Sequence, residues 1–258
     1  MDALAALRLQ IEWGADEALA EQPVDRFAAP ARAAAPPPAI TPAIAAPPRL
    51  PTPTVALRAR EVAGAARTLV ELRAALAAFQ GCPLAATATN LVFADGNPDS
   101  GLMLVGEGPG AEEDRAGLPF VGPSGRLLDR MLASIGLDRT RFVITNLLFW
   151  RPPGNRNPTE GEVLTCLPFL LRHIALVRPR RLVLLGGLAT RAVTGSELGI
   201  RRLRGRWVEV TIPGLAAPVP AMPMLHPAYL LRTPGAKREA WSDLIQLKLA
   251  MDADISQS

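Results

Sequence analysis

Lysine is nearly missing from this chain. Of its 28 basic residues only Lys237 and Lys248 are lysine, leaving 26 arginines. Cysteine is as scarce: Cys82 and Cys166 are the only two in 258 residues. Two thiols cannot form a disulfide framework, so a reducing cytoplasm is the expected setting. No apolar run approaches the roughly 18 residues that cross a bilayer, which argues against a membrane protein. The opening Met1-Asp2-Ala3-Leu4 lacks a basic region, so no secretory signal is expected.

What is present suits a globular protein with an appendage. The chain is 49% hydrophobic, enough to bury a core. It carries a formal charge of +4, and the pI is about 9.8. The arginine bias has two readings, a genome rich in G and C or phosphate recognition by a planar fork. Residues 3–20 are rich in Ala and Leu and read as one short helix, with Leu4, Leu7, Ile11 and Trp13 partly on one side. Residues 30–53 hold nine prolines in 24 positions, a semi-rigid linker with little to bury. Residues 1–55 are therefore set apart as an appendage, either a tail or a tethered helix that docks a protein partner. Residues 56–258 form the expected globular domain.

From residue 60 onward the pattern alternates. Residues 60–79 read as a helix through Val62, Leu69, Leu72 and Leu76. Four apolar runs read as buried strands: 102–105, 142–144, 182–185 and 222–225. Helices separate them, over 124–135, from Asn157-Pro158-Thr159-Glu160 toward Pro179 with a kink at Pro168, and over 236–251. Asn157 is the expected N-cap of the second. Strands alternating with helices predict a single α/β/α sandwich around a central, mainly parallel four-stranded sheet.

Two loops stand out. Gly106-Glu107-Gly108-Pro109-Gly110 follows the first run, and His226-Pro227-Ala228-Tyr229-Leu230-Leu231 follows the last. In an open α/β sheet ligands bind where strands end, so an acid, a histidine and close-approach glycines are expected in one crevice. The glycine spacing is not the dinucleotide fingerprint, and the second run ends in Asn146 rather than an acid.

Further motifs follow in order: Glu112-Glu113-Asp114, Pro119-Phe120-Val121-Gly122, Ile144-Thr145-Asn146, and Arg151-Pro152-Pro153-Gly154-Asn155-Arg156. Taken together, over about residues 75–250, the set resembles the uracil-DNA glycosylase superfamily, most closely its family 4. The resemblance implies a monofunctional enzyme that flips uracil out of DNA and hydrolyses its N-glycosidic bond. That reaction builds positive charge on the sugar and negative charge on the base. The resemblance places Glu107 near the sugar and His226 at the uracil O2 as catalytic groups. It assigns Gly106, Gly108, Glu113, Phe120 and Asn146 to the base: glycine backbone against it, Phe120 stacked on it, Asn146 reading its O4/N3 edge. Glu113 is a second acid near the ring. Leu230, Leu231 and Arg232 suit a DNA-binding loop, two wedges and a phosphate contact; simple packing of the leucines is the alternative. Arg201-Arg202-Leu203-Arg204-Gly205-Arg206-Trp207 either tracks phosphates or forms a solvated hairpin face. His173 reads as structural.

The chain departs from family 4 at its iron–sulfur site. That family holds a [4Fe–4S] cluster with four cysteines; here Cys82 and Cys166 remain, and Phe79 and Trp150 stand at the other two positions. No cluster and no other cofactor or metal is expected. The two rings are expected to fill the space, and the two thiols to lie near each other. A self-cross-linking relative in the superfamily uses a His in a basic insertion; residues 147–160 have neither, so turnover is expected. No lysine falls in the matched motifs, which disfavours a Schiff base. The expected partner is uracil-containing DNA, and the expected form is a cytoplasmic, nucleoid-associated monomer. The alternatives are a non-catalytic DNA-binding relative, a glycosylase acting mainly on another deaminated base, and an unrelated nucleotide-binding α/β enzyme.

Overall fold

The computed structural model describes residues 53–255. The helix and linker expected over 1–55 lie outside the described residues, apart from the linker's end, where Pro53 already opens a helix. Among the described residues one sheet contains β1 (Ala94–Gly96), β2 (Leu102–Gly106), β3 (Val143–Asn146), β4 (Arg181–Leu185), β5 (Val208–Val210) and β6 (Val219–Met224). Their spatial order is β1-β3-β2-β4-β6-β5. The four central strands are parallel, and the two edges are antiparallel.

Alternation along the central strands sorts side chains to two faces. Met103, Val105, Val143, Leu182, Leu184 and Ala221 enter one buried cluster. Leu104, Ile144, Val183, Leu185, Met222 and Met224 enter the other. Both faces are apolar, as an internal parallel sheet requires. The first face is covered by α1 (Pro53–Ala65), α2 (Leu69–Ala78) and α5 (Glu160–Val177), through residues such as Leu72, Leu76 and Phe169. The second is covered by α4 (Pro123–Ala133) and α9 (Lys237–Ile255), through Leu128, Leu132, Leu244 and Leu247. The remaining helices are short: α3 (Ala111–Ala116), α6 (Gly187–Thr194), α7 (Ile200–Leu203) and α8 (Pro227–Arg232).

The α/β/α sandwich is as expected, with six strands instead of four. The two additional strands are three-residue edges. The helix expected over 60–79 is broken in two. Thr68 caps α2 by accepting from the Glu71 amide, while the Glu71 carboxylate accepts from the Arg67 amide. This reciprocal arrangement starts a new helix rather than continuing the old one. The next helix also starts later than expected. Thr159, not Asn157, is the N-cap of α5, because Thr159 and Glu162 form a capping box.

The connections position the site. From β2 the chain crosses to β3 over the face covered by α4, and from β4 it reaches β6 by way of α6, whose Ala189 and Val193 pack on the opposite face. Neighbouring strands β2 and β4 thus send their chains to opposite sides, which opens a crevice at their C-terminal ends.

Candidate active site

A cavity of about 730 Å³ lies at those strand ends, lined by residues that include Glu107, Glu113, Phe120, Asn146 and His226. Gly106 ends β2 in register with Asn146 at the end of β3. A side chain at 106 would collide with the Asn146 Oδ1 and the Phe120 ring. The glycine therefore lets the amide and the ring approach one strand end from two sides. Gly108 also lines the cavity and would carry a Cβ only in ordinary contact with Leu148, at 3.4 Å.

Asn146 is only 1% exposed, yet its Oδ1 has no hydrogen-bond partner. A buried acceptor left unmet costs about 1–3 kcal/mol. It is thus an acceptor prepared for a ligand that brings an N–H group.

Glu107 is held by a helix terminus. Its Oε1 accepts from the Leu188 amide at 2.9 Å, in the first turn of α6. Its own carbonyl accepts from the Leu148 amide at 3.1 Å, extending the β2–β3 pairing past the strands. Gly186, with φ of 103°, lies so close that a side chain there would collide with the carboxylate.

His226 follows β6 and caps α8. Its Nδ1 accepts from the Ala228 amide at 3.1 Å. A neutral ring in this arrangement carries its proton on Nε2. Burial pushes the imidazole below its ordinary value; Arg232 adds to this and Glu107 opposes it. The ring is therefore a neutral donor at neutral pH. Phe120 lies beside it, with ring centroids 5.8 Å apart and planes inclined by 32°.

Glu113 is buried, and its carboxylate binds the loops themselves. Oε2 accepts from the Gly110 amide at 3.1 Å and Oε1 from the Gly122 amide at 2.7 Å. It stitches the glycine loop to the loop that carries Phe120.

The 230–232 loop separates its residues. Leu230 is fully buried against Leu127, Leu225, Ala236 and Ala240, so packing, not wedging, is its role in this structure. Leu231 is 42% exposed, and Arg232 lines the cavity. The basic run after residue 200 folds partly as α7, and two of its arginines are engaged within the protein. Arg201 pairs with Glu239 at 2.8 Å, and Arg204 pairs with Asp243 at 2.6 Å. His173 is buried, with its ring stacked on Phe93 at 4.6 Å.

Two contributors were not singled out from the sequence. Gly186 and Leu188 shape the Glu107 side, and the Leu185-Gly186-Gly187 step after a buried strand was the available signal. Arg156 holds the cavity wall through both nitrogens of its fork on Glu162, at 2.9 and 2.6 Å. Burial pushes the Glu162 carboxyl up, but Arg156 and the Thr159 amide outweigh it and hold it below the usual range.

The residues at the expected iron–sulfur position do not fit such a cluster. Cys82 and Cys166 are both buried, with sulfurs 4.0 Å apart, near each other as expected. They are the only thiols in the chain, and a cluster of this kind is normally held by four. Phe79 and Trp150 are buried in the same apolar cluster as the two cysteines, and the Phe79 ring meets Phe169 edge-on at 5.2 Å. Among the described residues no group of three or more His, Cys, Asp or Glu is placed to hold a metal ion.

An α/β sheet whose strand ends gather a carboxylate, a neutral imidazole, an aromatic face and an unpaired amide in one cavity defines an enzyme that handles a planar, hydrogen-bonding ring. Comparison with known proteins agrees. The sequence model of the Uracil DNA glycosylase superfamily matches residues 93–245. A Type-4 uracil-DNA glycosylase of Pyrobaculum aerophilum is 40% identical over 63% of this chain and 84% of its own. Those of Archaeoglobus fulgidus and Thermotoga maritima are 42% and 41% identical, over 63% and 58% of this chain and 82% and 77% of theirs. The chain belongs to the uracil-DNA glycosylase superfamily.

Proposed function

We propose that the protein hydrolyses the N-glycosidic bond of uracil in DNA, leaving an abasic site for base excision repair. The observation that carries this reading is the pairing of Glu107 and His226 in one cavity, each oriented by a backbone amide. Breaking the bond leaves an oxocarbenium-like sugar and a uracil anion. Fixed groups of suitable polarity aimed at each charge lower that barrier. The Glu107 carboxylate stabilises the sugar cation or orients the attacking water. The His226 Nε2–H donates to uracil O2 as its charge grows. Being neutral already, the ring need not give up its proton to do so.

Recognition rests on the other walls. Phe120 stacks on the flipped ring. Asn146 Oδ1 accepts the N3–H of uracil, and its amide nitrogen donates to O4. Cytosine offers an acceptor at N3 and a donor at C4, so a fixed amide rejects it. The Gly106 and Gly108 backbone lies against the base. Glu113 serves the base indirectly, by fixing both loops around it. Leu231 fills the gap left in the duplex, and Arg232 contacts a phosphate. Residues 56–258 act as the catalytic domain, as a monomer in the cytoplasm at the nucleoid, and residues 1–55 are a tether for a protein partner. Among the described residues no helix is long and apolar enough to cross a membrane.

The test uses matched oligonucleotides bearing one uracil or one thymine, treated with alkali after incubation. Cleavage at uracil alone, abolished by His226→Ala, is the expected result. DNA binding without cleavage at uracil refutes the proposal and directs the search to another deaminated base.

A further inference from the structure

Phe120 has a backbone that phenylalanine seldom adopts. Its φ is 56°, in the left-handed region, where glycine is the usual occupant. Such a conformation persists only where its surroundings hold it. Two features do so. Gly125 lies so close that a side chain there would collide with the Phe120 carbonyl. The carbonyl itself accepts from Nη2 of Arg139 at 2.7 Å, and the preceding Pro119 carbonyl lies 3.4 Å from Nη1.

Arg139 is in turn fixed from two sides. Its Nε donates to Asp129 on α4 at 2.8 Å, and Nη1 pairs with Asp95 on β1 at 3.2 Å. The guanidinium also lies 5.8 Å from the centre of the Phe142 ring. Arg139 is not among the residues lining the cavity. Its planar fork joins a helix, an edge strand and the backbone beneath Phe120, a geometry that a lysine ammonium cannot reproduce.

We propose that Arg139 is a positioning residue for base recognition: it locks the Phe120 backbone in its left-handed form and so presents the ring as a stacking platform. The proposal rests on the reading that Phe120 stacks on the uracil ring. If it is right, Arg139 and Phe120 act as one unit, and their losses do not add.

The experiment measures inhibition of uracil release by free uracil, together with KM and kcat, in a double-mutant cycle of Arg139→Ala and Phe120→Ala. Arg139→Ala is expected to weaken uracil inhibition about tenfold, equivalent to about 1.4 kcal/mol. In the Phe120→Ala background it is expected to change nothing further. Asp95→Asn removes one ion pair but leaves the Phe120 contact, and is expected to keep normal uracil inhibition. Arg139→Lys covers the case in which the alanine variant does not fold, with the same expected loss. Equal losses from Arg139 substitution in both backgrounds overturn the proposal, as does normal inhibition in either Arg139 variant when Phe120→Ala is impaired. Normal inhibition in Phe120→Ala itself overturns the stacking reading and this inference with it.

Discussion

Gly186 lies against the Glu107 carboxylate so closely that no side chain fits at position 186. With φ of 103°, the position is also strained for any residue but glycine. Gly186→Ala should displace Glu107 from the Leu188 amide. A misplacement of about 1 Å in a catalytic group costs on the order of 10²-fold in rate. Single-turnover uracil release should fall by that order, with DNA affinity little changed. An unaltered rate would remove Glu107 from the chemistry.

The state of His226 fixes a pH dependence. Burial holds its imidazole below the ordinary value, which is about 6.5. The active form is neutral, so the rate should be flat from neutral pH upward and fall only in acid, below about 6.5. His226→Ala should lower the rate by about 10²–10³ and abolish that acid limb. A rate that rises on acidification through pH 6.5 would show that the charged ring is the catalyst.

Leu230 and Leu231 should behave in opposite ways. Leu230→Ala opens a cavity in a fully buried cluster, at a cost of about 2–5 kcal/mol in unfolding free energy. Leu231→Ala touches an exposed side chain and should change stability by less than about 0.5 kcal/mol. It should instead slow uracil release from duplex DNA more than from single strands. Equal slowing on both substrates would rule out a wedge.

His173 makes stability sensitive to acid. Burial lowers its imidazole to about 4, against about 6.5 in an unfolded chain. The folded protein keeps the ring neutral while the unfolded chain takes up a proton. Stability from this group is full above about pH 6.5, declines on acidification, and levels off below about 4. Neither ring nitrogen has a hydrogen-bond partner, so His173→Leu should also stabilise the protein at neutral pH. Urea unfolding at pH 7.5 and 4.5 should show a pH difference smaller by roughly 2–3 kcal/mol in the variant. An unchanged difference would place the acid sensitivity elsewhere.

The sequence disclosed those parts of the fold whose signal is continuous burial. The four central strands are apolar runs because both of their faces are covered, and their ends announced the two loops that carry Glu107 and His226. The edge strands left no such signal. β1 is read through Asp95-Gly96-Asn97-Pro98, which spells a turn, and it becomes a strand only by pairing with β3. The break before α2 was written in Thr68 and Glu71, but Val62 and Leu69 stand on either side of it seven residues apart, a helical spacing that hides it. Leu230 and Leu231 are chemically alike, and only the packing of α8 decides which is buried. The left-handed Phe120 and its link to Arg139 depend on contacts 19 residues apart that no local pattern encodes.

Glu113 joins the glycine loop to the loop that carries Phe120, and Arg156 fastens the adjoining wall to α5. These are short-range ties within the protein, made before any ligand arrives. The walls they hold need not be ordered on binding, which lowers the protein's share of the entropic cost of recognition. The cost that remains is that of unstacking the nucleotide itself, which is least where the base is mismatched or unpaired.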